Sequence, residues 1–146
     1  MEKLFIESID GYKLNVHVFE AEKPKAFIQI IHGMEEHQER YEKFAEELVA
    51  AGYSVVTANM RGHGEDAPVL GYFKDKDGYK CLLDDERVIT KYIKEKFKTD
   101  KVIIFAHSMG TIIARNLLFT DSMNYKKVIL SGYPNPQGAA GAGVVL

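Results

Sequence analysis

The sequence predicts an α/β fold, a mostly parallel sheet with helices on both faces. Two observations predict it. Short runs of apolar, β-branched residues alternate along the chain with longer segments that are apolar on one helical face only, the order expected of strands joined by crossover helices. The runs Ala26–Ile31 and Val102–Phe105 are apolar almost throughout, as strands covered on both faces are.

The elements follow in order. Leu4–Ser8 and Leu14–Glu20 alternate around Asp10-Gly11, which reads as a β-hairpin. Lys23-Pro24-Lys25 breaks the chain before the strand Ala26–Ile31, and that strand ends at His32-Gly33-Met34. In Gln38–Ala51, residues Tyr41, Phe44, Ala45 and Leu48 line one helical face, with Glu42, Lys43, Glu46 and Glu47 on the other. Gly52 stops that helix. Tyr53–Met60 is the next strand, closed by the turn Arg61-Gly62-His63-Gly64. From Glu65 to about Tyr79 the chain is a polar loop carrying one apolar patch, Val69–Phe73. Leu82–Phe97 is a second amphipathic helix with Ile89, Tyr92, Ile93 and Phe97 inward. The strand Val102–Phe105 leads into a helix over Met109–Phe119, and Lys126–Ser131 is a final strand ended by Pro134 and Pro136. In parallel sheets chemistry gathers at the carboxyl ends of strands. Three segments lie there: His32-Gly33-Met34, Arg61-Gly62-His63-Gly64 and Ser108-Met109.

Composition narrows the class. A chain of 146 residues is long enough for one domain with a real core. Its 46% hydrophobic and 27% charged residues are ordinary for a soluble globular domain. A net charge of -2 gives no electrostatic case for nucleic acid. The apolar runs are too short for an integral membrane segment, and the N-terminus lacks the layout of a signal peptide. The single cysteine, Cys81, excludes an intrachain disulfide and fits a reducing compartment, so a cytoplasmic location is expected. Cys81 reads as a packing residue.

The stretch most suited to chemistry is Ala106-His107-Ser108-Met109-Gly110. A serine in a tight turn between a buried strand and a helix has its Oγ thrust out above the sheet, with free helix N–H groups behind it. Small residues two before and two after it relieve the crowded backbone. That is the logic of a nucleophile elbow. The alternative is that Ser108 only caps the helix. With Ser108 as nucleophile, acyl transfer needs oxyanion donors. The backbone N–H of Met109 is one, and the N–H of Met34, in the loop after the third strand, is the other.

Taken together, His32-Gly33-Met34-Glu35-Glu36-His37-Gln38-Glu39-Arg40-Tyr41, Arg61-Gly62-His63-Gly64, Asp75-Lys76-Asp77-Gly78-Tyr79 and Ala106–Gly110 resemble the α/β-hydrolase superfamily. More narrowly they resemble its monoacylglycerol lipase and lysophospholipase group, from about Ala26 to Tyr133. Asn59 stands where that group often has Asp, and Glu35 where it commonly has Gly. The resemblance implies a serine carboxylic-ester hydrolase acting on a small-molecule fatty-acyl ester, monoacylglycerol or lysophospholipid, through an acyl-Ser108 intermediate and with no cofactor. It also implies a triad acid and histidine further along the chain than the nucleophile. No histidine follows His107, and Asp121 is the only acidic residue after Ser108. The resemblance makes His37 and His63, which could lie near the pocket mouth, structural. His107, adjacent to Ser108 on the strand–turn, should point away from it, and His32 should pack or hydrogen-bond beneath the oxyanion loop. His17 belongs to the hairpin, away from the site. The spacing of His32, His37 and His63 matches no usual zinc pattern, so no metal is expected.

The expectation is therefore that residues 1–146 form the N-terminal part of a single α/β-hydrolase domain. The cap would begin at Gly138–Leu146, the final strands would lie beyond, and the chain would be inactive alone. Its strand Lys126–Ser131 would be an edge prone to association. Two other readings stay open. One is a non-catalytic module binding an acyl ligand or a partner chain. The other is the same fold put to acyl-transfer, thioesterase or haloperoxidase chemistry.

Overall fold

A computed structural model of the protein describes residues 1–134. The Gly138–Leu146 stretch lies outside the described residues. The chain runs β1 (Glu2–Glu7), β2 (Lys13–Phe19), β3 (Ala26–Ile31), a 3-10 turn (Gln38–Tyr41), α1 (Glu42–Ala50), β4 (Tyr53–Ala58), α2 (Gly78–Phe97), β5 (Val102–His107), α3 (Met109–Asp121) and β6 (Tyr125–Ser131). One six-stranded sheet has the order β1-β2-β4-β3-β5-β6. The hairpin strands are antiparallel to each other and to β4, while β4, β3, β5 and β6 are parallel. The predicted mostly parallel sheet is present.

Two helix starts differ from the sequence reading by four residues, and the other boundaries agree within two. The first helix opens as a 3-10 turn and becomes α-helical only at Glu42, because the buried Gln38 is tied by its N–H to the Asn59 side chain. The second starts four residues earlier than the apolar periodicity, at Gly78. Its first turn is amphipathic in no useful sense, but Gly78 packs tightly on Phe73.

The helices divide between the two faces of the sheet. Ile89, Ile93, Ile113, Ala114 and Leu117 of α2 and α3 pack on Leu14, Val16, Ile31, Val56 and Ile104. Ala45 of α1, with Phe44 and Leu48, packs on Phe19, Ile28, Ile30, Val55 and Ile103. Each fully buried Ile, Leu or Val contributes about 1.5–3 kcal/mol by leaving water.

This arrangement sets the position of the site. From β3 the chain crosses by α1 to β4 on one side; from β4 it crosses by α2 past β3 to β5 on the other. Adjacent strands β3 and β5 therefore send their following segments to opposite faces. A crevice opens between them at their carboxyl ends, as at any such reversal of strand order.

A buried ion cluster fixes the hairpin to this frame. Arg61 is held by Asp85 through Nε and Nη2, both at 2.7 Å, and by Asp10 at 2.9 and 3.0 Å. Ser8 donates to Asp85, and the guanidinium lies 4.5 Å over the Tyr12 ring. Asp10, hydrogen-bonded by Arg61, is held well below the usual carboxylate range.

Candidate active site

The crevice between β3 and β5 is where His32-Gly33-Met34 and Ser108 meet. Ser108 stands at φ 50°, ψ -118°, a backbone conformation that costs an L-residue roughly 1–3 kcal/mol. Its side chain makes no cap hydrogen bond to α3, so capping does not account for a serine here. The turn is instead secured by its main chain. Ser108 N–H donates to Ser131 C=O of β6 at 3.0 Å, while Thr111 donates to Ser108 C=O from both its N–H (2.9 Å) and its hydroxyl (2.6 Å). Oγ of Ser108 has no hydrogen-bond partner among the described residues.

The small residues of the motif have separate reasons. Ala106 is fully buried beneath the turn. Gly110 lies so close to β3 that a Cβ would press on Ile31 C=O and come within 2.7 Å of His32 O. Helix α3 can approach the central strand only through a glycine. Gly33 is equally confined, since a Cβ there would sit 3.0 Å from the Ser108 Cβ. The two turns thus touch through their backbones.

The loop after β3 is held from two sides. His32 is 1% exposed. Its Nε2 accepts Met60 N–H at 3.0 Å, so the ring proton is on Nδ1, which donates to Gly33 C=O at 2.7 Å. Burial pushes the imidazole down to about 4, so it is neutral at ordinary pH. Glu36 accepts Gly33 N–H and the Tyr41 hydroxyl, the latter at 2.8 Å. Burial works against its charge, but these two donors outweigh burial and hold the carboxyl below its ordinary value. Glu35, in the place where Gly is common, has φ 58°; the position favours glycine for a conformational reason.

The N–H of Met34 donates to no protein acceptor among the described residues, and that of Met109 lies in the first turn of α3, where helix N–H groups have no intrahelical partner. Both flank Ser108. The remaining histidines are dispersed. His107 turns toward β6, its Nδ1 3.4 Å from Ser131 Oγ. His37 pairs with Glu39 at 2.7 Å on the surface. His63 is buried edge-on to His32 and stacked near Phe73. His17 is buried in β2, 3.5 Å from Glu42. An open groove of about 1010 Å³ runs beside the loop, lined by Met34, Glu36, His63, Leu70 and Phe73. Ser108 itself lies outside that lining. Among the described residues no cluster of His, Cys, Asp and Glu suits a metal ion, and no helix is long and apolar enough to cross a membrane.

Sequence reasoning missed the partners of this frame. Asp10 and Asp85 gave no signal beyond a turn and a helix surface. Gln29, a lone amide in an apolar strand, was the signal for a buried polar cluster. It donates to Glu86 at 2.7 Å and accepts from Thr90 at 2.7 Å, and Thr90 also meets the Tyr125 hydroxyl at 3.0 Å.

A mixed sheet with helices on both faces and a strained serine between a parallel strand and a helix define the α/β-hydrolase class. The chain belongs to the serine aminopeptidase S33 family, whose profile matches residues 22–136. It is 31% identical over 100 residues to a monoglyceride lipase homolog of Monkeypox virus, a match over 62% of this chain and 32% of that protein. With a monoacylglycerol lipase of Mycolicibacterium smegmatis it shares 28% over 109 residues, 75% of this chain and 38% of the relative. A highly thermostable carboxyl esterase from Bacillus coagulans superposes with a TM-score of 0.87 at 27% identity, over 97% of this chain and 47% of the esterase. The chain thus spans well under half the length of the curated relatives it matches.

Proposed function

We propose that this chain is part of a serine carboxylic-ester hydrolase and that Ser108 is its nucleophile. The observation that carries the reading is the strained φ of Ser108 at the β5–α3 junction, with an Oγ that serves no structural bond. Ser108 Oγ attacks the acyl carbon, and the N–H groups of Met34 and Met109 receive the charge that forms on the carbonyl oxygen. The alcohol leaves, and water then releases the acyl group from Ser108. Monoacylglycerol or lysophospholipid fatty-acyl esters are the proposed substrates; the monoglyceride lipase relatives support the first, and the family resemblance of the sequence motifs the second. No cofactor takes part in this scheme, and the proposed location is cytoplasmic.

The proton of Ser108 needs a base. The described histidines are committed elsewhere, and none follows His107 in the sequence. We therefore assign residues 1–146 to the N-terminal part of a single hydrolase domain whose acid and histidine lie outside them, and these residues alone are expected to be inactive. The test is a fluorophosphonate probe on the full-length protein, with the adduct mapped by mass spectrometry. Labelling of Ser108 and loss of ester hydrolysis in Ser108→Ala by several orders of magnitude are expected. An adduct on another serine, or a Ser108→Ala variant with wild-type turnover, refutes the assignment.

One observation favours a second reading, a non-catalytic module. The outer strand β6 presents Ile129 at 49% and Leu130 at 40% exposure, an edge suited to pairing with another chain. Purified 1–146 that binds a partner strand while the full-length protein has no esterase activity would favour it.

A further inference from the structure

Glu36 is 8% exposed, yet nothing in the proposed reaction uses its carboxylate. Oε1 takes the Gly33 N–H and the Tyr41 hydroxyl, and Oε2 faces Arg40 Nη1 at 3.4 Å. A hydrogen bond from a main-chain N–H to a charged carboxylate is roughly twice as strong as a neutral one.

The group that Glu36 holds is the one most in need of holding. Gly33 must be glycine, because a Cβ would lie 2.9 Å from Glu36 Oε1 and 3.0 Å from Ser108 Cβ. Glycine is also the residue freest to turn. The peptide on its amino side is fixed by Glu36 through N–H; the peptide on its carboxyl side is fixed by His32 through C=O. In a planar trans peptide C=O and N–H point in opposite directions. Fixing Gly33 C=O toward His32 therefore directs the Met34 N–H away from His32. Release of the His32 hold frees the Gly33–Met34 peptide directly, whereas release of the Glu36 hold frees the peptide before it, so that the Gly33 backbone on which the Gly33–Met34 peptide is set can turn.

We propose that Glu36 is a positioning residue that, with His32, locks the peptide carrying the Met34 N–H in the orientation of an oxyanion donor. The proposal rests on the reading of Ser108 as nucleophile and Met34 as donor. Tyr41, in the first turn toward α1, orients the carboxylate in its turn, so the brace ties the loop to the helix that follows it.

The test uses the full-length enzyme with Glu36→Asp, Glu36→Gln and Tyr41→Phe. Aspartate keeps the charge but is one methylene too short to span to Gly33 N–H. It should lower kcat on a short p-nitrophenyl ester by about 100-fold, the scale of losing one oxyanion donor, with KM almost unchanged and the melting temperature retained. Affinity for a trifluoromethyl ketone, which forms an oxyanion on Ser108, should fall in parallel. Glutamine still accepts the N–H, though without charge, and should recover most of kcat while binding the ketone several-fold less tightly than wild type. Tyr41→Phe leaves the Gly33 bond in place and should be mild. A folded Glu36→Asp variant with wild-type kcat and ketone affinity overturns the proposal. So does an Asp variant whose KM rises as kcat falls, the mark of a general structural loss. Should the Asp variant not fold, wild-type ketone affinity in Glu36→Gln overturns it instead. Fluorophosphonate labelling of the wild type separates the two ideas. No label on Ser108 sinks the nucleophile reading and this proposal with it, whereas a labelled wild type beside an unaffected Asp variant sinks only the brace.

Discussion

Replacing Gly110 by alanine tests how closely α3 must approach β3. Two effects oppose each other. Alanine is the better helix former by about 1 kcal/mol, and Gly110 is in the first turn of α3. Against this, the new Cβ would lie 2.7 Å from His32 O and closer still to Ile31 O. Carbon and carbonyl oxygen approach favourably only to about 3.3 Å, so the helix or the strand must retreat by more than half an ångström. Both atoms met are main-chain carbonyls of the central strand and the loop after it, and neither can rotate aside. Overpacking of this kind costs about 1–3 kcal/mol and sometimes more, which exceeds the propensity gain. Two main-chain clashes put the cost toward the upper end of that range, so the net loss is up to about 2 kcal/mol, which lowers the melting temperature of a domain this size by several degrees. The retreat also separates Ser108 from the Met34 loop, and misplacement near 1 Å can cost about 100-fold in rate. Thermal unfolding and fluorophosphonate labelling of the full-length protein read both effects. A Gly110→Ala protein as stable as wild type, with Ser108 labelled at the same rate, would refute the claim that this glycine is required by close packing.

Burial, reinforced by the charge of Asp85, pushes Glu86 up to about 8, although Gln29 donates to it. The folded state thus holds a proton that the unfolded chain releases at ordinary carboxyl pH, and stability falls as pH rises from about 4.5 to about 8. Glu86→Gln should flatten that fall in urea titrations at pH 5 and 8 and be the more stable at pH 8; an unchanged slope would count against it. Asp85→Ala leaves the Arg61 guanidinium short of its bidentate partner inside the protein and should cost about 3–5 kcal/mol in urea unfolding; a loss below 1 kcal/mol would mean that Asp10 alone suffices. Glu35→Gly relieves a left-handed backbone at an exposed site and should raise stability by a few tenths to about 1 kcal/mol, with destabilisation as the contrary result. For His32, neutral when folded and depressed to about 4, stability is fully present above about 6.5 and is lost as pH falls toward 4. A His32→Gln protein should lose less on acidification over that window; the same loss as in wild type would exclude His32 as its source.

Much of the frame was legible because its signals are local. Alternation marked the hairpin, nearly continuous apolar runs marked β3 and β5, and the 3.6-residue period marked the helices. The serine turn was legible because strand, small residues and helix stand next to one another in sequence. What stayed hidden depends on contacts between distant segments. Nothing near Asp10 announces that it shares Arg61 with Asp85, since the three are joined only when the hairpin, the β4 turn and α2 assemble. Glu36 could be matched to a family stretch, yet its grip on Gly33 is a property of a folded loop. The early start of α2 was missed because packing on Phe73, not periodicity, recruits Gly78.

The central position of β3 also has a kinetic consequence. Its partner β4 lies one short helix away, but its other partner does not arrive until Ile103 pairs with Ile28, after the whole α2 crossover. Joining such distant segments requires a large loop to close before any contact compensates for the lost chain freedom. On that ground the hairpin, β3, α1 and β4 are expected to collapse before the β3–β5 seam forms. Since Gly33 and Ser108 lie at the far end of that seam, loop closure predicts that they meet late in folding, and a chain caught midway would carry every residue of the site without yet possessing one.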